Sequence, residues 1–144
     1  MSTAPTYLDV TPQAGARFFG TPGEGPVVML NLMRFRERAD YAHAQGLEPD
    51  GGASGAEAYA RYMAGIEPLL AASGGEVIFA GKADAFLIGP EDEQWDFAML
   101  VKQASKQSFL AFASDPEAQR ITQHRTAAVA DSRLLPLWSA PSPA

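Results

Sequence analysis

The sequence predicts an α+β fold in which two strand–helix–strand units follow each other along the chain. The first observation is a set of short apolar runs with strand character, beginning with VVMLNLMRF at residues 27–35. The second is that helix signals lie between these runs: capping residues, apolar stripes at helical spacing, and closing glycines. This order predicts a ferredoxin-like βαββαβ sandwich, whose helices cover one face of a four-stranded antiparallel sheet.

Composition narrows the class of protein. The 144 residues suit one domain spanning 1–144, and 47% of them are hydrophobic. A net charge of −6 argues against nucleic-acid partners and against a basic membrane-binding face. The absence of cysteine excludes disulfides, thiolate metal sites and a cysteine nucleophile, and it fits a reducing compartment. The N-terminus has no secretory pattern and no apolar run approaches the roughly 20 residues of a membrane span, so we expect a cytoplasmic protein.

The first half of the chain begins with an N-terminal extension, residues 1–26, in which Thr11 and Pro12 open a short helix. After the strand at 27–35 comes a long segment, 36–53, which is either disordered or a functional cover. Ser54 and Glu57 then form a capping box for the first long helix. We expect Pro68 to kink or end that helix.

The second half repeats the pattern. Its signals, in chain order, are a strand at 76–80, an interruption at 81–84, a continuation or separate strand at 85–88, a strand at 95–101, helix caps at Ser105 and at Ser114 or Asp115, a last strand around 134–137, and a loose tail at 139–144. Ala118, Ile121, Ala128 and Val129 give the late helix an apolar face. The first and third strands are apolar on both sides, although helices cover only one. A second copy of the chain is the simplest cover for the other side, which predicts a homodimer forming a dimeric α/β barrel.

Two polar residues interrupt the first strand and are candidates for ligand binding. Alternation places Asn31 and Arg34 on opposite faces unless a bulge shifts the register. Each is either satisfied within the protein or faces a pocket and binds a carbonyl or an anion. Asp96, beside Trp95, raises the same choice: it pairs with Arg34, or it has a raised pKa and acts as a base.

The helices contribute the other candidates. His124 is one of two histidines and the best candidate for proton transfer near neutral pH, although a hydrogen-bonded structural role is also open. Arg125 follows it on the apolar side of the helix. Tyr59 and Tyr62 belong to the core and line any pocket between helix and sheet. His43 lies far from His124 in sequence, and two distant histidines do not predict a metal site.

An ordered set of segments resembles a known family. These segments are YLDVTPQAGARFF, GPVVMLNLMRFRERADY, SGAEAYARYM, GGEVIFAG, WDFAMLVK and DPEAQRITQHR. Together, from Tyr7 to Leu137, they resemble the domain-of-unknown-function 1330 family. The resemblance implies a ferredoxin-like fold and a dimeric α/β barrel, and it implies no known activity. The matching positions are Asn31, Arg34, Tyr59, Gly81, Asp96, His124 and Arg125. Where a common family pattern has Tyr-Pro-Ser, this chain has Gln103-Ala104-Ser105, so any role of that Tyr or Pro is absent.

The leading functional hypothesis is binding, with or without conversion, of a small organic metabolite in a pocket between sheet and helices. It requires no cofactor. In it, His124 or Asp96 moves protons, and Asn31, Arg34 or Arg125 holds a carbonyl or carboxylate. One alternative is a non-catalytic homodimeric assembly module. A further alternative is a barrel resembling the haem-binding or cofactor-free monooxygenase proteins of this fold, with His124 as axial ligand in the haem case.

Overall fold

The computed structural model describes residues 5–21 and 23–139 of the chain. Its elements, in order, are α1 (Pro12–Gly20), β1 (Val27–Phe35), a 3₁₀ turn (Gln45–Leu47), α2 (Gly55–Ala72), β2 (Glu76–Lys82), β3 (Phe97–Gln103), α3 (Lys106–Ser114), α4 (Pro116–Ala128) and β4 (Val129–Leu137). Within the described residues, no helix combines the length and hydropathy that a membrane span needs.

The four strands form one antiparallel sheet in the order β2-β3-β1-β4. Helix α2 connects β1 to β2, and helices α3 and α4 connect β3 to β4. This βαββαβ connectivity is that of a ferredoxin-like fold, as the order of elements in the sequence predicted.

Local signals place the helix starts as predicted. The Thr11 hydroxyl accepts a hydrogen bond from the Ala14 amide at 3.1 Å. The Ser54 hydroxyl accepts from the Glu57 amide at 3.0 Å, and the Glu57 carboxylate accepts from the Ser54 amide at 2.7 Å. Pro68 does not end α2, which continues to Ala72.

The strand boundaries differ from the predicted ones where backbone pairing overrides local composition. Strand β2 runs through Gly81 and Lys82, because these residues pair with Ala98 and Phe97 of β3. The predicted interruption at 81–84 is therefore wrong for its first two residues. The segment 85–88 forms no strand, and β3 begins two residues later than predicted.

The end of the chain shows one more difference. Val129, assigned to the helix face from sequence, opens β4 and is fully buried. The predicted loose tail lies outside the described residues, apart from Ser139.

The two faces of the sheet have different surroundings. The covered face, under α2 and α4, presents Val27, Met29, Met33 and Met99, all at most 4% exposed. The open face presents the alternating set, in which Leu30 opposes Leu100 on one side and Leu135 on the other. No helix within residues 5–21 and 23–139 covers this second set, and Leu135 is 53% exposed. The core therefore lies on one side of the sheet.

Two connecting segments pack against the α2–α4 layer and β4. The segment before α1 runs beside β4, where the Ser132 amide donates to the Tyr7 carbonyl at 2.9 Å. The segment 36–53 bonds to the end of α4, since the Arg36 amide donates to the Ala128 carbonyl at 2.8 Å and the Asp40 amide to Ala127 at 2.9 Å. These bonds pack 36–53 against the end of α4, which contradicts the predicted disorder; a functional cover stays a prediction.

Candidate functional site

A groove lies between α2 and the ends of β1, β2 and β3. Its volume is about 580 Å³, which falls in the range of small-molecule sites. The lining residues are Phe35, Ala56, Tyr59, Ala60, Met63, Lys82, Ala83, Asp96 and Phe97. Most of these are apolar or aromatic, and the charged groups are Lys82 and Asp96. The groove therefore combines an apolar wall with a charged edge.

Three aromatic rings build the wall, one from each of three elements. Phe35 ends β1, Phe97 begins β3, and Tyr59 lies one turn into α2. The ring centroid of Tyr59 is 5.1 Å from that of Phe35 and 6.0 Å from that of Phe97. Such tilted contacts at 4.5–7 Å are favourable for aromatic pairs. The wall is thus held by packing between sheet and helix.

The Tyr59 ring carries a hydroxyl that is buried with it, since the residue is 4% exposed. The hydroxyl donates only a long contact, 4.0 Å, to the Met99 sulfur. Burial raises the pKa of Tyr59 well above its ordinary value, with a smaller contribution from nearby Tyr62. The hydroxyl therefore stays protonated at physiological pH and serves as a hydrogen-bond donor.

Asp96 shapes the groove edge through the backbone. Its carboxylate accepts from the Phe35 amide at 2.8 Å, and its own amide donates to the Met33 carbonyl at 2.8 Å. A register shift between Arg34 and Phe35 in the β1–β4 pairing marks this end of β1 as irregular. Asp96 caps this bulged end and positions the Phe35 ring. Its side chain remains exposed.

The structure does not place Asn31, Tyr62 and Arg125 in the groove lining. The Asn31 amide group donates to the Met29 carbonyl at 3.1 Å. Arg125 donates to the Leu8 carbonyl at 3.0 Å and to the Ser132 hydroxyl at 3.1 Å, which fastens the N-terminal segment. Tyr62 packs on Tyr59 with ring centroids 5.3 Å apart. Burial raises the pKa of Tyr62, and Arg125 offsets this in part.

Arg34 lies on the open face and pairs with Asp131, not with Asp96. Its guanidinium is 3.3 Å from the Asp131 carboxylate, and Arg133 reaches the same carboxylate at 2.8 Å. Both guanidinium groups also lie over the Trp95 ring, at 5.8 and 4.9 Å from its centroid. Burial raises the pKa of Asp131, but the Tyr7 amide, Arg133 and the Ser132 amide outweigh it, so the pKa is lowered. Arg34 is thus satisfied within the protein.

His124 points to the cover segment. Its Nδ1 lies 2.7 Å from the Tyr41 hydroxyl, and His43 bonds the Gln123 carbonyl at 3.2 Å. Burial lowers the pKa of His124, and the positive charges of Arg61 and Arg120 lower it further. Among the described residues His124 lines neither this groove nor the recess described next, so it and Asp96 are not brought together.

A second cavity, called here the recess, lies beside the open face between β1 and β4. Its volume is about 380 Å³. The lining residues are Leu30, Leu32, Glu93, Arg133, Leu134 and Leu135. Its apolar floor belongs to the surface that the sequence predicted to meet a second copy. No group of three or more His, Asp or Glu residues with metal-binding geometry occurs in 5–21 and 23–139.

Sequence reasoning missed several residues of these sites. From the sequence, Phe35, Phe97 and Met63 are ordinary core residues. Their place in the groove lining depends on the bulge at the end of β1 and on the position of α2. Asp131, however, carried a usable signal. It interrupts the apolar run VADSRLLPL as Arg34 interrupts the first strand, and opposite charges in two such runs are natural cross-strand partners.

Comparison with known proteins fits this architecture. The chain matches none of the curated protein sequences. A crystal structure of RPA0582, a protein of unknown function from Rhodopseudomonas palustris, superposes with a TM-score of 0.84 at 36% identity, covering 95% of this chain and 99% of that one. The methylated RPA0582 protein gives a TM-score of 0.84 at 37% identity, covering 96% and 98%.

A more distant structure shares the fold alone. This is a dabb family protein with a ferredoxin-like fold from Mesorhizobium loti, with a TM-score of 0.52 at 11% identity, covering 82% of this chain and 100% of that one. The family model described as Domain of unknown function (DUF1330) matches residues 53–135, which include α2, all of β2 and β3, and the late helices. The chain therefore belongs to the DUF1330 family.

Proposed function

We propose that the chain binds a small organic molecule in the groove, with an apolar or aromatic body against the wall and a polar group at the edge. The observation that carries this proposal is the wall of Phe35, Tyr59 and Phe97 in a cavity of about 580 Å³, edged by Lys82 and Asp96. Convergent polar groups in a mostly apolar concave site are the usual arrangement for ligand binding.

The edge groups favour a particular kind of ligand. The Lys82 ammonium is suited to attract a carboxylate or another anion. The Tyr59 hydroxyl is suited to donate to a carbonyl or phenol oxygen. If the ligand is converted, Asp96 is the carboxylate at the groove and would accept the proton. No cofactor is required by this proposal, and it does not use His124, Asn31, Arg34 or Arg125.

The test is a binding experiment with a blocked groove. Benzoate, phenylacetate and hexanoate are titrated into the isotopically labelled protein and followed by amide chemical shifts. Ala60→Trp places a large ring in the groove, while Ala64→Trp, one turn further along α2, is the matched control outside it. We expect shifts at groove residues in the wild type and in Ala64→Trp, and their loss in Ala60→Trp. Shifts that persist in Ala60→Trp, or no shifts with any probe and no co-purifying molecule by native mass spectrometry, would contradict the proposal.

We also propose that the chain forms a homodimer through the open face, giving a dimeric barrel in the cytoplasm. The support is the apolar exposure of that face: Phe79, Leu135 and Leu137 are 62%, 53% and 38% exposed. The assembly module stays as a second candidate function because the same observation favours it. It predicts a dimer whose groove binds none of the three probes.

The haem hypothesis has less support than either. An axial ligand needs a ring nitrogen that faces a cavity, and among the described residues His124 lines neither the groove nor the recess. Its test is direct: haem added to the purified protein should give no Soret shift, and a shifted band lost in His124→Ala would restore the hypothesis.

A further inference from the structure

The connection between β2 and β3 carries an apolar tip formed by Leu87 and Ile88. These side chains are 99% and 93% exposed. Single exposed aliphatic residues are ordinary on protein surfaces. Two adjacent ones that make almost no contact with their own chain indicate a contact surface.

The tip belongs to a turn that is packed on itself. The Ala85 amide donates to the Asp84 carboxylate at 2.7 Å. A side chain at Gly89 would come within 2.8 Å of the Phe86 ring, so glycine lets that ring lie against the backbone. The Glu93 amide donates to the Pro90 carbonyl at 3.4 Å. Contacts on both sides of Leu87 and Ile88 therefore restrict the turn that carries them, which lowers the entropy cost of docking.

The base of this connection is continuous with the open face. Trp95, at its end, lies under the Arg34 and Arg133 guanidinium groups of the open face. Glu93 lines the recess together with Leu30 and Leu135. The base of the connection that carries the tip thus adjoins the surface that is proposed to meet a second copy.

We infer that Leu87 and Ile88 dock into the recess of a second copy of this chain, beside its Arg133. Charge supports this occupant, because Asp84, Glu91 and Asp92 flank the tip and Arg133 lines the recess. The same carboxylates oppose insertion into an anionic lipid surface. In a two-fold dimer the contact occurs twice, since each copy offers one tip and one recess.

This inference rests on the proposed homodimer and is independent of the ligand groove. Its test uses the absence of cysteine from the chain. Ile88→Cys is mixed with isotopically labelled Leu135→Cys, and a short bismaleimide joins thiols that lie close together. Leu110→Cys on α3 replaces Leu135→Cys as the matched control, since the two leucines are 49% and 53% exposed.

We expect a covalent species containing one labelled and one unlabelled chain with Leu135→Cys, and none with Leu110→Cys. A dimer in sedimentation velocity without this species would overturn the tip contact and leave the homodimer standing. A monomer at all concentrations would overturn both. Equal cross-linking to both partners would indicate random collision and would also overturn the contact.

A second variant measures the same contact without chemistry. The double variant Leu87→Ser and Ile88→Ser should raise the dissociation constant of the dimer by about a hundredfold or more, because each copy loses two apolar side chains that are buried in the dimer. Since both are exposed in the protomer, its circular dichroism should not change. An unchanged dissociation constant overturns the inference. A second outcome would also overturn the inference: the wild type, but not the variant, sediments with phosphatidylcholine vesicles, and the variant remains a dimer.

Discussion

The covered and open faces of the sheet come from the same strands, with alternate residues facing opposite ways. On the covered face Met33 of β1 is fully buried, and Met99 of β3 is 4% exposed. On the open face Leu135 of β4 and Phe79 of β2 are 53% and 62% exposed. All four residues are large and apolar. The difference teaches that hydrophobic alternation assigns residues to a face, whereas burial depends on what packs against that face.

The polar interruptions of β1 follow the same division. Asn31, on the covered face, bonds the backbone of its own strand. Arg34, on the open face, shares the Asp131 carboxylate with Arg133. Both are only partly buried, and each has a hydrogen-bond partner inside the protomer. The groove draws its charges instead from strand ends and their connections.

The comparison is tested first by truncating the covered face. Met33→Ala should lower the free energy of unfolding by about 2–5 kcal/mol, because it leaves a cavity under α2. Leu135→Ala, measured by urea unfolding at concentrations where the protein is monomeric, should cost less than about 1 kcal/mol. Equal costs at the two positions would mean that the open face is covered within the protomer.

The open face is tested by adding a charge to it. Leu135→Asp should raise the dissociation constant of the homodimer by about a hundredfold or more, because a carboxylate would have to be desolvated at the interface. Sedimentation equilibrium measures this, with Leu110→Asp on α3 as the control that should leave the constant unchanged. A dimer that tolerates Leu135→Asp would have to use another surface.

The polar end of the open face is tested at Asp131. Asp131→Asn should cost about 1–2 kcal/mol of unfolding free energy at pH 7, because the buried carboxylate loses its charge-assisted bonds to partly exposed arginines. Its pKa is lowered in the folded protein, so this stabilisation is present above the ordinary value of 3.8. It is lost as the pH falls below 3.8 through the folded pKa.

The measurement is urea unfolding of wild type and Asp131→Asn at pH 7 and pH 3. The gap between the two proteins should narrow at pH 3. Glu117→Gln, which removes an exposed ion pair on α4, should leave the free energy of unfolding nearly unchanged at either pH. If the difference in unfolding free energy between wild type and Asp131→Asn is the same at both pH values, the charge of Asp131 is not the source of the stabilisation.

The smallest effect is expected at the contact between His124 of α4 and Tyr41 of the segment 36–53. The pKa of His124 is lowered by burial and by two arginines, so the neutral imidazole is favoured when folded. Stability from this source is complete above the ordinary value of 6.5 and declines as the pH falls through the folded pKa. The loss should be less than about 1 kcal/mol, since the ring is only partly buried.

Urea unfolding between pH 7.5 and pH 5 measures it. His124→Asn should remove this part of the pH dependence, while His43→Asn should retain it. If His124→Asn and the wild type lose stability in parallel, the titration of His124 does not carry the effect.

The sequence by itself determined the order of elements, the helix starts and the division of β1 into two faces. These features depend on local chemistry: capping side chains such as Ser54 satisfy orphan amides, and a period of two assigns Met33 and Arg34 to opposite sides. Such signals act over a few residues, so they can be read along the chain. The end of β2 could not be predicted in this way, because Gly81 and Lys82 belong to the strand only through their pairing with β3.

Only the tertiary structure decided which candidate residues share a site. Tyr59 and Asp96 both line the groove. Arg34 instead pairs with Asp131, 97 residues away in the chain, and His124 contacts Tyr41, 83 residues away. The aromatic wall likewise depends on the bulge at Phe35 and on the placement of α2 over the strand ends. Long-range contacts of this kind arise when the elements pack together. Periodicity and composition describe each element separately, so they do not predict the distance between residues of different elements.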